Sequence, residues 1–297
     1  MKKKNGIKFP SPWGEGLGVR PFLLLFISIF PLISLSQELK IMSYNIRLDV
    51  ASDGENRWDA RKDKVAGLMN YYEADFIGSQ EVQHHQLQYL LTQLKEYNYI
   101  GVGRDDGKTE GEYSCIFYKK NRFEPVQSST FWLSPTCDSV SFGWDAACRR
   151  VCTYGLFREK ATKKMFWVFN THLDHVGQTA RIESVKLITK KINELNKKNY
   201  PVIFMGDLNS RPEDAPVQHL NTVLQNTRTV SRQVYGPADT WNAFKFNTKP
   251  DGCIDYIFTS GGSRISVQKF ATITDSYEMK YPSDHFPVMA TLKLNGN

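Results

Sequence analysis

Six short segments of the chain place Asn, Asp, Glu and His side chains at or beside the ends of apolar, strand-like runs. They are SYNIR at 43–47, SQEV at 79–82, NTHLDH at 170–175, GDLNS at 206–210, IDYIF at 254–258 and SDHFPV at 283–288. Carboxylate and carboxamide oxygens are ligands that a hard divalent cation prefers, and His and Asp side chains can transfer protons. The residue types therefore suit metal binding combined with acid–base chemistry.

Each of these positions has a simpler explanation when it is taken alone. Asn45 or Asp207 alone is most simply a turn residue at a strand end. Glu81 alone fits the first turn of a helix, where the dipole favours a carboxylate, and His172 alone fits a hydrogen-bonded core histidine. Turn chemistry would not place so many polar interruptions beside apolar strands, so the set favours one shared site. Strand ends are rigid mounts whose side chains can converge at a sheet edge.

The elements that must position these side chains follow from the spacing of apolar residues. Strands are predicted at 40–46, 75–79, 99–102, 113–118, 129–133, 151–157, 165–170, 201–205, 253–259, 265–273 and 288–294, and helices at 58–72, 86–94, 181–195 and near 215–224. This mixture fits one layered α/β domain. The consecutive strands between 113 and 170 predict antiparallel meanders.

The first 36 residues read as an export signal. They hold five basic residues and one acid, followed by an apolar run of 14 residues at 22–35. A basic stretch, a short apolar core and a small-residue exit are typical of a secretory signal peptide. An uncleaved anchor is the alternative, and the long basic region is open to reading as an over-extended gene start. We expect a secreted or periplasmic protein whose domain spans 37–297.

The net charge of +7 looks at first like a nucleic-acid signal. Removing residues 1–36 leaves 33 Lys and Arg against 30 Asp and Glu, so the domain carries only +3. The basic balance therefore does not favour nucleic acid as the partner.

The five cysteines are compatible with a disulfide in an oxidising compartment, but an odd number leaves at least one unpaired. Cys137 and Cys148 are the pair that would close a loop, and small buried hydrophobes are an equal alternative. No Cys and His spacing predicts a zinc site.

The six segments, in this order, resemble the motif set of the endonuclease/exonuclease/phosphatase (DNase I-like) superfamily. They span residues 43–288, and the segment at 132–151 resembles a bacterial branch with poorly defined substrates. The resemblance implies a four-layer α-β-β-α sandwich, with two mixed, mainly antiparallel sheets packed face to face. It also implies a metal-assisted phosphoester hydrolase, a phosphodiesterase or a phosphatase, that depends on Mg²⁺ or Mn²⁺, and it leaves open whether the substrate is a monoester or a diester.

The resemblance also assigns metal ligands. It implies that Glu81 is the direct ligand of the cation and that Asn45 helps through its amide oxygen. Asp284 would hold a metal-bound water. A hard cation keeps several waters, so one or two carboxylates suffice.

The catalytic roles follow in the same way. Asp207 would orient and deprotonate the attacking water, and Asn209 would donate its amide to a phosphate oxygen. His285 would stabilise the charge that develops on the phosphoryl oxygens, with Asp255 fixing its tautomer. His172 would contact the phosphate from the other side and help to protonate the leaving group.

Two further residues are candidates for substrate binding. Asn170 would support His172, and Arg150 either binds a second phosphate or lies in solvent. Trp144 and Asp145 either shape the substrate mouth or belong to a structural loop. Trp58, Asp59 and Arg61 are interpreted as a helix start with an internal ion pair.

The sequence leaves the substrate open among a small phosphoester, a lipid head group and a nucleic acid. A nuclease and a sphingomyelinase-like phospholipase are specific alternatives. A secreted binding module that kept the fold and lost catalysis is the alternative from another class, and the occupied catalytic positions disfavour it. No stable protein partner is implied, and we expect a monomer.

Overall fold

Two β-sheets pack face to face, and helices cover their outer surfaces. The computed structural model describes residues 1, 5–10, 38–262 and 264–295. Contacts divide the chain into Met1–Leu35 and Ser36–Asn297, and the second unit holds all the elements below. Apart from residues 1 and 5–10, the predicted export signal lies outside the described residues. No helix in the described ranges has the length and apolar character that a membrane crossing requires.

The described residues form thirteen strands and five α-helices. The strands are β1 (Glu38–Asn45), β2 (Phe76–Val82), β3 (Tyr97–Ile100), β4 (Tyr113–Lys119), β5 (Phe123–Trp132), β6 (Val151–Glu159), β7 (Met165–His172), β8 (Val202–Asp207), β9 (Gln225–Asn226), β10 (Gln233–Tyr235), β11 (Asp255–Thr259), β12 (Ile265–Thr272) and β13 (Val288–Leu294). The helices are α1 (Trp58–Tyr72), α2 (His84–Gln93), α3 (Gln178–Leu195), α4 (Ala215–Val223) and α5 (Thr227–Val230), with a 3-10 helix at Ala51–Asn56.

The first sheet has seven strands in the order β10-β12-β13-β1-β2-β4-β3, and the second has six in the order β5-β6-β7-β8-β11-β9. The pairs β1–β2, β7–β8 and β10–β12 are parallel. The remaining strand pairs are antiparallel. The expected sandwich of two mixed, mainly antiparallel sheets is confirmed.

A hydrophobic core fills the space between the sheets. Ile41 and Phe76 of the first sheet pack in one cluster with Phe166, Val168 and Ile203 of the second. These side chains are completely shielded from solvent. Each such side chain contributes roughly 1.5–3 kcal/mol to folding, so the inner faces hold the two sheets together and fix their relative position.

Amphipathic helices bury the outer faces of the sheets. Val65 of α1 and Leu87 of α2 pack against the first sheet, in a cluster with Phe117. Val185 of α3 and Leu220 of α4 join the corresponding cluster on the second sheet. Together with the two sheets, these helices complete the four layers.

The main departures from the predicted elements lie in edge strands. Helix α1 has the predicted bounds, whereas β5 begins at Phe123, six residues before the predicted start at 129. Among the described strands, β5 is the edge of its sheet and pairs only with β6. Its residues 125–129 are exposed, so they carry no apolar pattern from which a strand is predicted. The short strands β9 and β10 are not predicted for a related reason. β9 has only two residues, one exposed and one half-buried, and β10 has three exposed residues.

All five cysteines are free. Cys115 and Cys152 are buried in the interior, where they pack as small hydrophobes. The disulfide between Cys137 and Cys148 is therefore absent from this structure.

Candidate active site

Three predicted catalytic residues lie side by side on adjacent strands of the second sheet. The parallel register of β7 and β8 pairs His172 with Asp207, and the antiparallel register of β8 and β11 pairs Asp207 with Asp255. Strand pairing alone thus places the three side chains at one edge of the sheet. Asn45 ends β1 and Glu81 lies near the end of β2, so both reach this edge from the first sheet.

Asn45 joins the two sheets at the site. Its amide nitrogen donates to Glu81 Oε1 at 3.0 Å and to Asp207 Oδ2 at 2.9 Å. Its amide oxygen accepts from the backbone N–H of Arg47 at 3.0 Å. This orientation differs from the expected oxygen ligand, because the NH₂ group faces the carboxylates. In this structure Asn45 positions Glu81 and Asp207.

Glu81 is aimed at the site by an irregularity in β2. The pairing of β2 with β4 shifts register between Ser79 and Val82, and Glu81 has a φ of 60°. A bulge redirects a side chain, and a non-glycine residue with positive φ persists only when surrounding contacts hold it. Here Glu81 Oε2 accepts from the backbone N–H of Leu48 at 3.0 Å.

His285 is a buried cation held between two aspartates. Its Nδ1 lies 2.9 Å from Asp255 Oδ2, and its Nε2 lies 3.8 Å from Asp207 Oδ2. Burial alone would lower the pKa of His285, but the charges of Asp255 and Asp207 hold it well above the usual value. Burial and the charge of Asp255 raise the pKa of Asp207 to about 7, against the opposing effect of His285. A carboxylate with this pKa is suited to act as a base near neutral pH.

Asn209 and His172 form a second hydrogen-bonded unit beside Asp207. The backbone N–H of Asn209, whose φ is 44°, donates to Asp207 Oδ1 at 2.9 Å. The Asn209 side-chain nitrogen lies 3.0 Å from both the Leu173 carbonyl and His172 Nε2. Because this NH₂ group donates to both, His172 Nε2 is an acceptor and Nδ1 carries the proton of the neutral ring.

His172 is neutral at ordinary pH. Burial, followed by the charges of Arg150 and Arg104, lowers its pKa well below the usual value. A neutral imidazole can donate a hydrogen bond from Nδ1 but is a poor acid. The geometry therefore supports the expected contact with substrate and argues against the expected protonation of the leaving group.

The predicted metal ligands Glu81 and Asp284 both lie close to the guanidinium of Arg47. Arg47 Nη1 lies 3.8 Å from an oxygen of each carboxylate. Both carboxylates are buried, and burial is also the main reason that the pKa of Asp284 is raised. Two buried carboxylates that share one positive charge form an all-oxygen donor set, which fits a hard divalent cation. Asp207, Asp255 and His285 form a second candidate group, with ligand atoms within 4.8 Å of one another.

Arg61 was not predicted to act at the site, yet it fixes the loop that follows β1. Its buried guanidinium donates to the carbonyl of Ile46, to that of Arg47 at 2.6 Å and to that of Leu48 at 3.3 Å. The expected internal ion pair at the start of α1 exists instead between Asp59 and Lys62, at 2.8 Å. Through the loop, Arg61 holds the backbone group that bonds to Glu81.

A cavity of about 670 Å³ opens above these residues. One side of it, here called the donor wall, consists of Arg104, Arg150 and His172. The facing side, here called the apolar wall, is formed by Trp241, Phe244 and Ile254. The sequence did not single out Arg104 or Trp241. The β-bridge between Trp241 and His285 shows that the apolar wall is built directly onto the catalytic segment.

The two predicted substrate-binding residues lie in different places, Arg150 at the cavity and Asn170 in the core. Arg150 is buried and lines the cavity, so the solvent alternative is excluded. Asn170 is completely buried between the sheets, where its amide bonds to Gln80, Ser79 and Cys115. The prediction that Asn170 binds substrate is therefore wrong, because every bond of its side chain is made inside the core.

The loop residues Trp144 and Asp145 lie outside the cavity lining. Asp145 accepts from the backbone N–H groups of Thr179 and Ala180 at the start of α3. Such bonds satisfy the free donors at a helix N-terminus. For Asp145, the structural-loop alternative is the one that the geometry supports.

Comparison with known proteins gives one family and several solved relatives. The sequence model of the Endonuclease/Exonuclease/phosphatase family matches residues 42–285 of this chain. A Bacteroides thetaiotaomicron protein of that family is 37% identical, with a TM-score of 0.84 over 88% of this chain and 99% of its own. A mannosyl-6-phosphatase of the same organism is 38% identical, with a TM-score of 0.82 over 86% of this chain and 99% of its own. An uncharacterized mimivirus protein is 27% identical over 161 residues, which are 52% of this chain and 60% of that protein.

Proposed function

The chain belongs to the endonuclease/exonuclease/phosphatase family, and from this premise we propose that it hydrolyses phosphoesters with Asp207 as the base and a divalent cation as cofactor. Members of this family act on phosphoester substrates, so the broad reaction class follows from membership. The roles of individual residues and the substrate are our proposals.

The position of Asp207 carries the proposal, because it contacts Asn45, Asn209, His172 and His285 at one edge of the second sheet. Asn45 donates to its Oδ2 at 2.9 Å and the backbone of Asn209 to its Oδ1 at 2.9 Å. His285 and His172 lie 3.8 Å and 3.5 Å from its Oδ2. A carboxylate with a pKa near 7 in such a fixed frame is arranged to take a proton from water.

The proposed reaction is one displacement at phosphorus. Asp207 takes a proton from water as the water oxygen bonds to phosphorus. The P–O bond to the alcohol breaks, and the alcohol leaves with a proton taken from solvent. Protonated His285, held by Asp255, donates a hydrogen bond to the phosphoryl oxygens as their charge grows.

Glu81 and Asp284 would hold the cation, with Asn45 keeping the Glu81 carboxylate in place. A divalent cation supplies Lewis-acid polarisation of the phosphoryl oxygen. Mg²⁺ suits this donor set because it accepts oxygen ligands and retains waters. Mn²⁺ is expected to substitute for it.

We propose a small phosphoester as the substrate. The cavity volume is within the 300–1,000 Å³ range of small-molecule sites, and one relative of 38% identity is described as a mannosyl-6-phosphatase. We also propose export to the periplasm or the medium, on the basis of the signal-like pattern in residues 1–36.

The test is hydrolysis of p-nitrophenyl phosphate and bis-p-nitrophenyl phosphate by the purified protein. We expect turnover with Mg²⁺, none with EDTA, and recovery when Mg²⁺ is added in excess. A wider panel should hold sugar phosphates, inositol phosphates, sphingomyelin, RNA and plasmid DNA. Absence of metal-dependent turnover across the whole panel would overturn the proposal and favour a binding module on this fold.

A further inference from the structure

Arg150 directly precedes β6, and its guanidinium is held by Asp174 and His175. Its Nε lies 3.4 Å from Asp174 Oδ2, and its Nη2 lies 3.1 Å from His175 Nδ1. Its Nη1 has no hydrogen-bond partner among the described residues, although the side chain is only 5% exposed. A buried donor without a partner costs free energy, so such groups in native structures call for an explanation.

The frame that holds Arg150 is itself fixed by the backbone. Asp174 Oδ1 accepts from the N–H groups of Val176 at 3.0 Å and Gly177 at 2.8 Å. Its Oδ2 accepts from the N–H of Ala147 at 3.1 Å. The guanidinium therefore keeps its orientation without a ligand, and a rigid donor loses little entropy when it binds one.

Two other unpartnered donors lie on the same wall of the cavity. Arg104 gives both terminal nitrogens to the carboxylate of Glu112, at 2.9 Å and 2.7 Å, and its Nε has no partner within the described chain. His172 Nδ1, which carries the proton of the neutral ring, is likewise buried without a hydrogen-bond partner there, and it lies 3.9 Å from Glu112 Oε2. All three residues of the donor wall thus have an unused N–H group.

The facing wall has the opposite character. Trp241, Phe244 and Ile254 offer carbon surface, and Trp241 is 39% exposed beside the polar catalytic residues. The turn that carries it is held to the catalytic segment, because the N–H groups of Asn242 and Ala243 donate to the Asp284 carbonyl at 2.8 Å and 3.1 Å. Ala243 and Phe244 both have positive φ, at 51° and 59°. Such strain is retained where a loop serves a site.

We infer that the cavity is built for a phosphomonoester, with Arg150 binding the non-bridging oxygens of a terminal phosphoryl group and the apolar wall taking the single organic group. This rests on the proposed function and narrows the phosphodiesterase or phosphatase expected from the sequence to a phosphatase that acts on monoesters. A monoester carries nearly two negative charges at pH 7.5, because the second pKa of the phosphate is about 6. A diester carries one charge and a second organic group, which would have to face three N–H donors.

The reaction balances as the hydrolysis of one ester bond. Water supplies the oxygen that bonds to phosphorus, and the P–O bond to the organic group breaks. The products are one alcohol and inorganic phosphate. No oxidant or second substrate is needed.

The test compares p-nitrophenyl phosphate with bis-p-nitrophenyl phosphate, which share a leaving group and differ by one ester group. We expect the wild type to prefer the monoester by at least about 10-fold in kcat/KM. Arg150→Met should lose about 30-fold on the monoester, as befits one charge-assisted hydrogen-bond donor, and much less on the diester. Arg150→Lys should recover part of the loss, since it keeps the charge without the planar fork.

Arg149→Met is the matched control. Arg149 is the neighbouring arginine, pairs with Asp105 at 3.5 Å and does not line the cavity. We expect it to behave as the wild type on both substrates. Melting temperatures of all variants establish that the comparison concerns folded protein.

Equal losses on both substrates in Arg150→Met, or a wild-type preference for the diester, would overturn the inference while leaving the proposed function standing. A second measurement does not need turnover. Tryptophan fluorescence with Mg²⁺ present should show inorganic phosphate binding at least about 10-fold more weakly to Arg150→Met than to the wild type. Dimethyl phosphate should bind both alike. If phosphate binds both variants equally, Arg150 is not the phosphate ligand, whatever the activity.

Discussion

Asp207 lies between groups that move its pKa in opposite directions. Burial and Asp255 raise the pKa, whereas His285, the N–H of Asn209 and the amide of Asn45 lower it. In the proposed reaction, the resulting value near 7 would allow Asp207 to accept a proton from water without holding it too strongly. At the residue scale, the site thus works through neighbours that tune one carboxylate.

Replacing Asp207 with Asn should therefore remove the base while keeping the shape. We expect kcat/KM for the preferred phosphoester to fall by about 10³-fold, within the usual range for an acid–base residue. The melting temperature should stay the same or rise, because an unfavourable buried charge is removed. Asp138→Asn, at an exposed carboxylate on the surface, is the control and should keep full activity. Wild-type activity in Asp207→Asn would refute the assignment of the base.

At the scale of elements, the two sheets are joined by buried amides as well as by apolar packing. Asn170 on β7 donates to the carbonyls of Ser79 at 3.0 Å and Cys115 at 2.8 Å and accepts from Gln80 at 2.7 Å. The space is tight, since a Cβ atom added at Gly78 would lie 2.7 Å from Asn170 Oδ1. These bonds hold β2, β4 and β7 in the relative position that the site requires.

Asn170→Ala tests this structural role. Loss of the amide leaves buried carbonyls without donors, so the free energy of unfolding should fall by about 3 kcal/mol. Urea denaturation measures the fall, and Asn121→Ala in an exposed turn is the control, with little expected change. Activity measured well below the melting temperature should be retained. A large loss of kcat/KM at unchanged stability would instead restore the substrate-binding role for Asn170.

A second prediction at this scale concerns the loop frame around Asp174. Backbone N–H bonds and Arg150 hold the pKa of Asp174 well below the usual value, against the opposing effect of burial. A depressed carboxyl pKa contributes stability that is complete above the unfolded pKa of about 4 and is lost as pH falls toward the folded pKa. Asp174→Asn should thus unfold about 2 kcal/mol more easily than the wild type at pH 7.

The difference between Asp174→Asn and the wild type should shrink steadily as the pH falls below 4, in urea denaturation at a series of pH values. Asp138→Asn, which lacks such backbone bonds, should show no such pH-dependent difference. A difference that stays constant down to pH 2 would mean that the carboxylate charge does not stabilise this loop.

At the scale of the whole molecule, the site gathers buried carboxylates from both sheets. Glu81 comes from the first sheet, Asp207 and Asp255 from the second, and Asp284 from the segment before β13. Their mutual repulsion opposes the packing of the sheets, and Arg47 and His285 offset it only in part. A bound cation should therefore stabilise the entire fold.

Mg²⁺ at about 100 times its dissociation constant should stabilise the protein by about 2.7 kcal/mol. For a domain of this size the melting temperature should rise by roughly 5–10 °C. EDTA should reverse the rise, and Glu81→Gln should abolish most of it. Glu194→Gln, on the exposed side of α3, should keep the full rise. An equal rise in Glu81→Gln would place the cation elsewhere, with the group of Asp207, Asp255 and His285 as the next candidate.

The sequence alone determined the layered fold, the bounds of α1 and the six segments that reach the site. These follow from local patterns, because apolar spacing defines an element and polar residues at its end mark the sheet edge. Alternation also places Asn170 and His172 on the same face of β7. Their depth along that face, in the core for Asn170 and at the edge for His172, depends on how far the first sheet covers the strand.

Only the tertiary structure decided the rest of the site. Contacts between residues far apart in the chain determine the bulge at Glu81 and the orientation of Asn45. The same holds for the hydrogen bonds from Arg61 to the loop that follows β1. Arg104 and Trp241 lie in loops that carry no periodic pattern, so nothing in the sequence distinguishes them from other surface residues. Which loop side chains share a cavity is set by the packing of the two sheets. For that reason, the polar residues at strand ends predicted the type of chemistry. The sequence did not predict the shape of the cavity, which selects the substrate.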